Sequence, residues 1–181
     1  MIEENIIEQC RNGNLHDFRK LMELISPFAF TVAFRILADE EQAKDIVQET
    51  MITLWKTINK IKSPGSFMTW LYRIVVNKCY DQLRKRKRNP EFSADEKTWA
   101  LISNKISENP SSSIEDRETA QIINLLTDQL SPKQKAVFVL CDLEEMSNEE
   151  VSLITGMSRT IVKANLHYAR KRIREMIEKH I

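Results

Sequence analysis

The stretch LEEMSNEEVSLITGMSRTIVKANLHYARKRIR, residues 143–174, predicts a short acidic helix, a turn at Gly156, and a second helix that becomes basic toward its end. Ser158 suits the N-cap of the second helix, because its hydroxyl can accept a free amide hydrogen of the first turn. This is the layout of a helix-turn-helix, although two short helices that meet at a glycine also occur in proteins that never contact DNA. Apolar residues at helical spacing should pack the two helices together: Val151, Ile154, Ile161, Val162, Leu166, Ala169 and Ile173.

The polar residues of the second predicted helix would lie where a recognition helix meets base edges. Lys163 and Asn165 are two residues apart and diverge by about 200° on an α-helix, so they cannot both point at the same base pair. Arg159 and Lys163 are therefore expected to do more of the base reading, with Asn165 more peripheral. We expect phosphate contacts from the later basic residues, Arg170, Lys171 and Arg174.

Composition favours an all-α fold. The 181 residues include only three Gly and five Pro, too few for the turns of a many-stranded sheet, and helix-forming residues dominate. No apolar run approaches the roughly 20 residues that span a bilayer, and the first ten residues, MIEENIIEQC, lack the features of a signal peptide. These features predict a cytoplasmic protein.

Neither a metal site nor an enzyme active site is indicated. The three cysteines, Cys10, Cys79 and Cys141, are far apart and lack CxxC spacing, so buried thiols are the better interpretation. The sequence shows no Gly-rich phosphate loop, no Ser-His-Asp set and no carboxylate cluster with a metal-ligand companion. We therefore expect no cofactor and no catalytic residue.

Charge is distributed unevenly along the chain. Residues 61–88 contain 8 basic and 1 acidic residues, and residues 158–181 contain 7 and 2, which gives net charges of +7 and +5. The segment between them is acidic, with 5 basic and 13 acidic residues in 89–157. Basic runs are usually solvated faces, but two of them on amphipathic helices suggest two contact points on one polyanion.

Proline and serine divide the chain into two predicted helical domains, 1–88 and 118–181, with a linker at 89–117. In the first domain one helix should end at the Ser26-Pro27 step, and a second should cover 28–37. Asp39 suits the N-cap of a long third helix that ends near Lys60.

One face of that third helix is polar and mostly acidic. We call it the acidic stripe. It could be a surface that docks a basic partner helix. Alternatively, it could be an ordinary solvent-exposed face on which one isoleucine happens to be exposed. Its members recur at i, i+3, i+4, i+7 and i+11: Asp45, Gln48, Glu49, Ile52 and Lys56.

The next helix, FMTWLYRIVVNKCYDQLRKRKR at 67–88, mixes aromatic with basic residues. Phe67, Leu71, Ile74, Val75 and Leu83 can fill a core, but the polar and aromatic residues between them cannot all face inward. Rings interleaved with Arg, Lys and Asn suit single-stranded nucleic acid, because bases stack on rings and amides read base edges. The residues in question are Trp70, Tyr72, Arg73, Asn77 and Tyr80.

Three segments carry a family resemblance: DIVQETMITLW at 45–55, SFMTWLYRIVVNKCYDQLRKRKR at 66–88, and LSPKQKAVFVLCDLEEMSNEEVSLITGMSRTIVKANLHYARKRIRE at 130–175. Together they resemble the extracytoplasmic-function sigma factors of bacterial RNA polymerase. The resemblance implies that the first domain binds core RNA polymerase and melts the promoter at its minus-ten element. The second would bind the minus-thirty-five element as duplex, and an anti-sigma factor is a further expected partner.

The resemblance also implies residue roles. Polymerase binding would fall on Asp45, Gln48, Glu49, Ile52 and Trp55. Minus-ten DNA binding would fall on Ser66, Phe67, Trp70, Arg73, Asn77, Lys78, Arg84, Lys85 and Arg86, with Asn77 and the loop before Phe67 taking a flipped base. Minus-thirty-five binding would fall on Ser158, Arg159, Thr160, Lys163, Asn165, Arg170 and Lys171.

The chain departs from the family pattern in the recognition helix. The family usually has a small polar residue and then Arg after the Lys, where this chain has Ala164 and Asn165, and Tyr168 replaces a frequent Arg. The minus-thirty-five sequence therefore cannot be borrowed from a relative.

Two other functions compete with this one. A free-standing transcriptional regulator would use the same helix-turn-helix but would leave the acidic stripe unexplained. A nuclease using Asp45 and Glu49 is a more distant alternative, and it would cleave DNA when supplied with a metal.

Overall fold

The computed structural model describes residues 4–61, 66–88, 125–127 and 129–180, and these residues form helices and no strand. The predicted all-α fold is confirmed. Contacts between Cα atoms group the chain into two compact units, one formed mainly by residues up to Cys79 and the other mainly by residues from Tyr80 onward. The predicted linker, 89–117, lies outside the described residues, and the boundary at residue 88 stays a prediction.

The first unit begins with two helices joined by a tight turn. Helix α1 covers Glu4–Arg11 and helix α2 covers Leu15–Leu37. Gly13 has φ +81°, a left-handed conformation that glycine adopts without the usual steric penalty. Asn14 then caps α2, because its side-chain oxygen accepts hydrogen bonds from the amides of His16 and Asp17 at 3.0 and 3.3 Å.

Helix α2 runs without a break through Pro27, so the predicted pair of helices at 15–25 and 28–37 is wrong. A proline inside a helix removes one hydrogen bond and costs about 3 kcal/mol. Ile25, Ala29 and Val32, on both sides of the proline, are at most 1% exposed. Burial of this continuous apolar face offsets the local cost and keeps the helix intact.

Helix α3 covers Glu40–Thr57 and continues into a short 3₁₀ turn at Ile58–Lys60. Asp39 is its N-cap, as predicted, since its carboxylate accepts the amide of Gln42 at 2.9 Å. One side of α3 faces the core. Its buried residues are Ala43, Ile46, Thr50 and Leu54, while Val47 is only partly buried.

Thr50 is fully buried, and its hydroxyl oxygen has no hydrogen-bond partner within the described part of the chain. An unsatisfied buried hydroxyl costs about 1–3 kcal/mol. Replacing Thr50 with valine, which has the same shape, should raise the free energy of unfolding by about 1 kcal/mol in urea denaturation. Thr53→Val is the matched control, because the Thr53 hydroxyl donates to the Glu49 carbonyl at 2.8 Å and gains nothing from removal. A lower stability for Thr50→Val would contradict this assignment.

Helix α4, Phe67–Arg88, brings its first turns into the core of the first unit. Phe67 and Leu71 are 1% and 0% exposed, and they pack with residues of α1, α2, α3 and the 3₁₀ turn. The full buried cluster is Ile7, Cys10, Phe18, Leu21, Ile25, Leu54, Ile58, Ile61, Phe67 and Leu71. A rigid core therefore fixes the outward faces of α3 and α4.

Most of the helix-turn-helix belongs to the second unit, while Leu153–Gly156 group with the first. Helix α5, Pro132–Phe138, starts with a capping box between Ser131 and Gln134 and ends in a π turn, Val139–Leu143. Helix α6 covers Asn148–Thr155 and helix α7 covers Arg159–His180. Gly156 has φ +73° in the turn between them.

The apolar residues predicted to pack the helix-turn-helix are buried with one exception. Six of the seven are at most 8% exposed, and Ala169 and Ile173 pack in a cluster with Leu130. Ile161 is 49% exposed, because it lies beside, and not within, the buried face of α7 that carries Val162 and Ala169. Its exposure makes it part of the surface of the recognition helix.

Candidate functional site

The acidic stripe is an exposed surface of the first unit. Asp45, Gln48 and Glu49 are exposed, and Ile52 is 55% exposed between them and Lys56. Trp55 lies next to this surface with 42% of its area exposed. Its ring meets Phe18 edge to face, with centroids 4.6 Å apart, so the core holds the indole in place. The structure thus brings together all five residues predicted to bind polymerase.

Phe67 is part of the core, which corrects its predicted place among DNA-contacting side chains. A ring that is 1% exposed cannot stack on a base. Trp70, which is half-buried, packs against the same core with its ring centroid 6.4 Å from that of Phe67. Ser66 is exposed, while the predicted base-pocket loop at 62–65 lies outside the described residues.

One exposed side of α4 carries Arg73, Asn77 and Arg84, which we call the α4 stripe. Their spacing of i, i+4 and i+11 places them within one narrow sector of the helix. Asp81 lies in the same sector, 3.9 Å from the guanidinium of Arg84. This carboxylate reduces the local positive charge and leaves Asn77 between two arginines as the polar group suited to read a base.

Lys78 and Glu49 form an ion pair at 2.8 Å that the sequence analysis missed. The predictions placed Glu49 on a polymerase surface and Lys78 on a DNA surface, yet the two side chains touch. Residues 29 apart on different helices give no local pattern from which the pair could be predicted. Glu49 remains 60% exposed, and a pair of this kind contributes about 0–1 kcal/mol to stability. The two predicted surfaces therefore adjoin.

In the second unit, Ser158 caps α7 as predicted, because its hydroxyl accepts the amide of Ile161 at 3.3 Å. Arg159 forms an exposed ion pair with Glu149 at 3.2 Å. Thr160 and Lys163 are exposed on the first turns of α7. These are the turns that a recognition helix presents to the major groove.

Asn165 donates its side-chain amide to the carbonyl of Ile161 at 2.8 Å. This bond within its own helix takes one of the two donors of the Asn165 amide. That Asn165 is more peripheral to base reading than Lys163 stays a prediction.

Arg170 has a structural partner that the sequence analysis missed. Its guanidinium makes a two-pronged hydrogen bond with Asp142 of the π turn, with Nε donating at 2.9 Å. The bond raises the pKa of Arg170 above its ordinary value. Two of its five donors therefore tie α7 to the π turn. Lys171, the other predicted phosphate contact in this part of α7, is 65% exposed and 4.0 Å from Glu175.

The three cysteines are free thiols in the structure, and Cys10 and Cys79 are buried, as predicted, whereas Cys141 is only half-buried. Burial raises the pKa of the Cys10 and Cys141 thiols to about 11. It also raises the pKa of Cys79. Among the described side chains no group of three or more His, Cys, Asp or Glu is placed to hold a metal ion. None of the described helices is long and apolar enough to cross a membrane.

The described residues thus combine an exposed acidic stripe, an adjoining Arg-Asn stripe and a helix-turn-helix. Two family models match the corresponding residues: Sigma-70 region 2 over 21–89 and Sigma-70 region 4 over 120–173. The chain belongs to the sigma-70 family, in its extracytoplasmic-function group.

Similar curated proteins carry the same family name. The chain is 28% identical over 151 residues to the extracytoplasmic-function sigma factor SigE of Mycolicibacterium smegmatis, covering 83% of this chain and 58% of that protein. It is 25% identical to SigW of Bacillus subtilis, covering 98% of this chain and 97% of that protein. The chain thus spans about three fifths of the first relative and nearly all of the second.

Two solved structures show the same fold. CnrH, in complex with the cytosolic domain of CnrY, superposes with a TM-score of 0.68 at 20% identity and covers 98% of both chains. The sigma factor RpoE from Bartonella quintana, in complex with the anti-sigma factor NepR, gives a TM-score of 0.63 at 20% identity, covering 91% of this chain and 98% of that one.

Proposed function

We propose that the chain binds core RNA polymerase and directs initiation at particular promoters, with its first unit opening the minus-ten element and its second binding the minus-thirty-five duplex. The observation that carries this proposal is the ion pair between Glu49 of the acidic stripe and Lys78 of α4, which brings the predicted polymerase surface against the predicted DNA surface. A protein that only binds duplex DNA has no need of an exposed acidic face with Ile52 and Trp55 beside its basic surface.

Each surface has a partner of matching chemistry. A basic helical segment of the polymerase suits Asp45 and Glu49, with Ile52 supplying apolar contact area. Arg84 of the α4 stripe suits a phosphate, and Asn77 suits the polar edge of an unpaired base. No covalent chemistry is required of any residue in this mechanism.

Both units are needed for energetic reasons. Opening a duplex costs about 1.4 kcal/mol of stacking per step, so bases have to be captured as they separate. A second unit that holds the neighbouring duplex raises the effective concentration of the first at its own element. An anti-sigma factor that covers the same surfaces would block this action, and we include such a partner in the proposal because both solved relatives were captured in complexes.

The direct test is transcription with purified components. The full chain is mixed with core polymerase and a library of promoter templates, and promoter-specific transcripts are sequenced. Appearance of transcripts from a defined subset of templates supports the proposal. Tight binding to promoter duplex without polymerase, and no transcripts with it, would support the free-standing regulator instead.

In the same assay, Asn77→Ala should change the base preference at one minus-ten position. The reason is that Asn77 is exposed on the α4 stripe, where its amide can meet a base edge. Arg84→Ala is the matched control on the same stripe. The Arg84→Ala variant should bind all promoter templates more weakly by a similar factor, and the slope of log affinity against log salt concentration should fall by about one. Equal loss on every template from Asn77→Ala would mean that this residue does not read sequence.

A further inference from the structure

Three apolar or aromatic residues are aligned along the solvent-facing side of α7. Ile161 and Tyr168 are 49% and 59% exposed, and Ala164 between them is also exposed. Their spacing is i, i+3 and i+7, which places them on one stripe of the helix, beside the buried face that carries Val162 and Ala169. We call this set the apolar stripe.

Single exposed apolar residues are common and need no explanation. Here three of them line one face of the helix that also carries Lys163 and Lys171. The only amide on this side, that of Asn165, donates to the Ile161 carbonyl of its own helix. The face therefore combines positive flanks with a centre that has few free hydrogen-bond donors.

The positive flanks fit a polyanion and the apolar centre fits a methyl group. In the major groove the one apolar feature of the base edges is the C5 methyl of thymine, and alanine, aromatic rings and threonine methyls contact it. Arginine at these positions would instead donate to guanine. Ile161, Ala164 and Tyr168 offer no charged donor, so they favour thymine over guanine.

We propose that the apolar stripe of α7 contacts thymine methyl groups and so sets base preference within the minus-thirty-five element. This inference rests on the proposed function, which places α7 in the major groove. The ammonium of Lys163 can contact only one base pair at a time. In this proposal Ile161, Ala164 and Tyr168 recognise further base pairs of the element.

The test uses holoenzyme reconstituted from core polymerase and the full chain. Transcription from a library randomised at the minus-thirty-five element identifies the preferred sequence. Each thymine in it, on either strand, is then replaced by deoxyuridine, which lacks only the methyl group. We expect at least one position where the change weakens promoter binding by about threefold to fivefold, the effect of one buried methyl.

Two variants test whether the loss of binding on deoxyuridine substitution depends on the apolar stripe. In Ile161→Ser/Tyr168→Ser the ratio of thymine to deoxyuridine affinity should fall to about one, since the apolar contacts are gone. Ile177→Ser is the matched control: it is also an exposed apolar residue of α7, at 37%, but lies outside the stripe and should keep the parent ratio. Circular dichroism verifies that both variants fold.

Three outcomes would overturn the inference: a preferred element without thymine, a ratio of one for the parent at every position, or an unchanged ratio in the double variant. A parent ratio of one is also what a stripe that binds a protein partner would give. Promoter-specific transcription in these cases would leave the proposed function standing. Failure of all promoter-specific transcription would overturn both.

Discussion

Replacing Phe67 with alanine is expected to lower the free energy of unfolding of the first unit by about 3–5 kcal/mol, the usual cost of removing a buried phenylalanine ring. The ring is 1% exposed and packs within the cluster that joins α1, α2, α3 and α4. Because the residues around it are themselves buried in this cluster, they cannot move far into the space it leaves, and most of the cavity should persist. Urea denaturation followed by tryptophan fluorescence measures the change, with Trp55 and Trp70 both reporting on this unit.

Met68→Ala is the control for this prediction. Met68 is the next residue on α4 and is 36% exposed, so its loss should cost about 1 kcal/mol or less. If Phe67→Ala were as stable as the parent and defective only in promoter opening, the ring would belong to the DNA surface after all.

Reversing both Asp45 and Glu49 to lysine is expected to weaken binding to core polymerase by about 10- to 100-fold. The two carboxylates are the charged centre of the acidic stripe, and lysines in their place would repel a basic partner as well as lose attraction to it. Stability should change little, because both side chains are exposed and the Glu49–Lys78 pair is a surface pair. Affinity is measured by competition with labelled parent for core enzyme.

Glu8→Lys/Glu23→Lys makes the same change of net charge on the same unit but outside the stripe. This control separates local contact from general electrostatic attraction, and it should bind within about twofold of the parent at moderate salt. A folded stripe variant with parental affinity would show that polymerase binds elsewhere.

Sequence patterns were sufficient wherever neighbouring residues decide the structure. The caps formed by Asp39 and Ser158 were predicted correctly, since a capping side chain bonds to amides two or three residues away. The exposed side of α3 also followed from its period, because Leu54 and Thr50 anchor the opposite side in the core.

Contacts between distant segments could not be predicted in this way. Pro27 predicted a break in the helix, but burial of the apolar residues on both sides of it keeps α2 continuous. Phe67 was assigned to both a core and a DNA surface, and only the packing of four helices decides between them. The partners of Lys78 and Arg170 lie 29 and 28 residues away, so no periodic pattern connects them to Glu49 and Asp142. DNA and polymerase contacts of all these residues await the experiments above.

The rate at which the buried thiols are alkylated reports how often the structure around them opens. With a pKa of about 11, only about one Cys10 side chain in ten thousand is a thiolate at pH 7, so alkylating reagents react very slowly until the chain opens locally. Cys10 and Cys79 lie in the first unit and half-buried Cys141 in the second. Mass spectra that follow alkylation of the two buried thiols would therefore time the opening of the first unit in the unmodified protein, alone or bound to polymerase, without any introduced label.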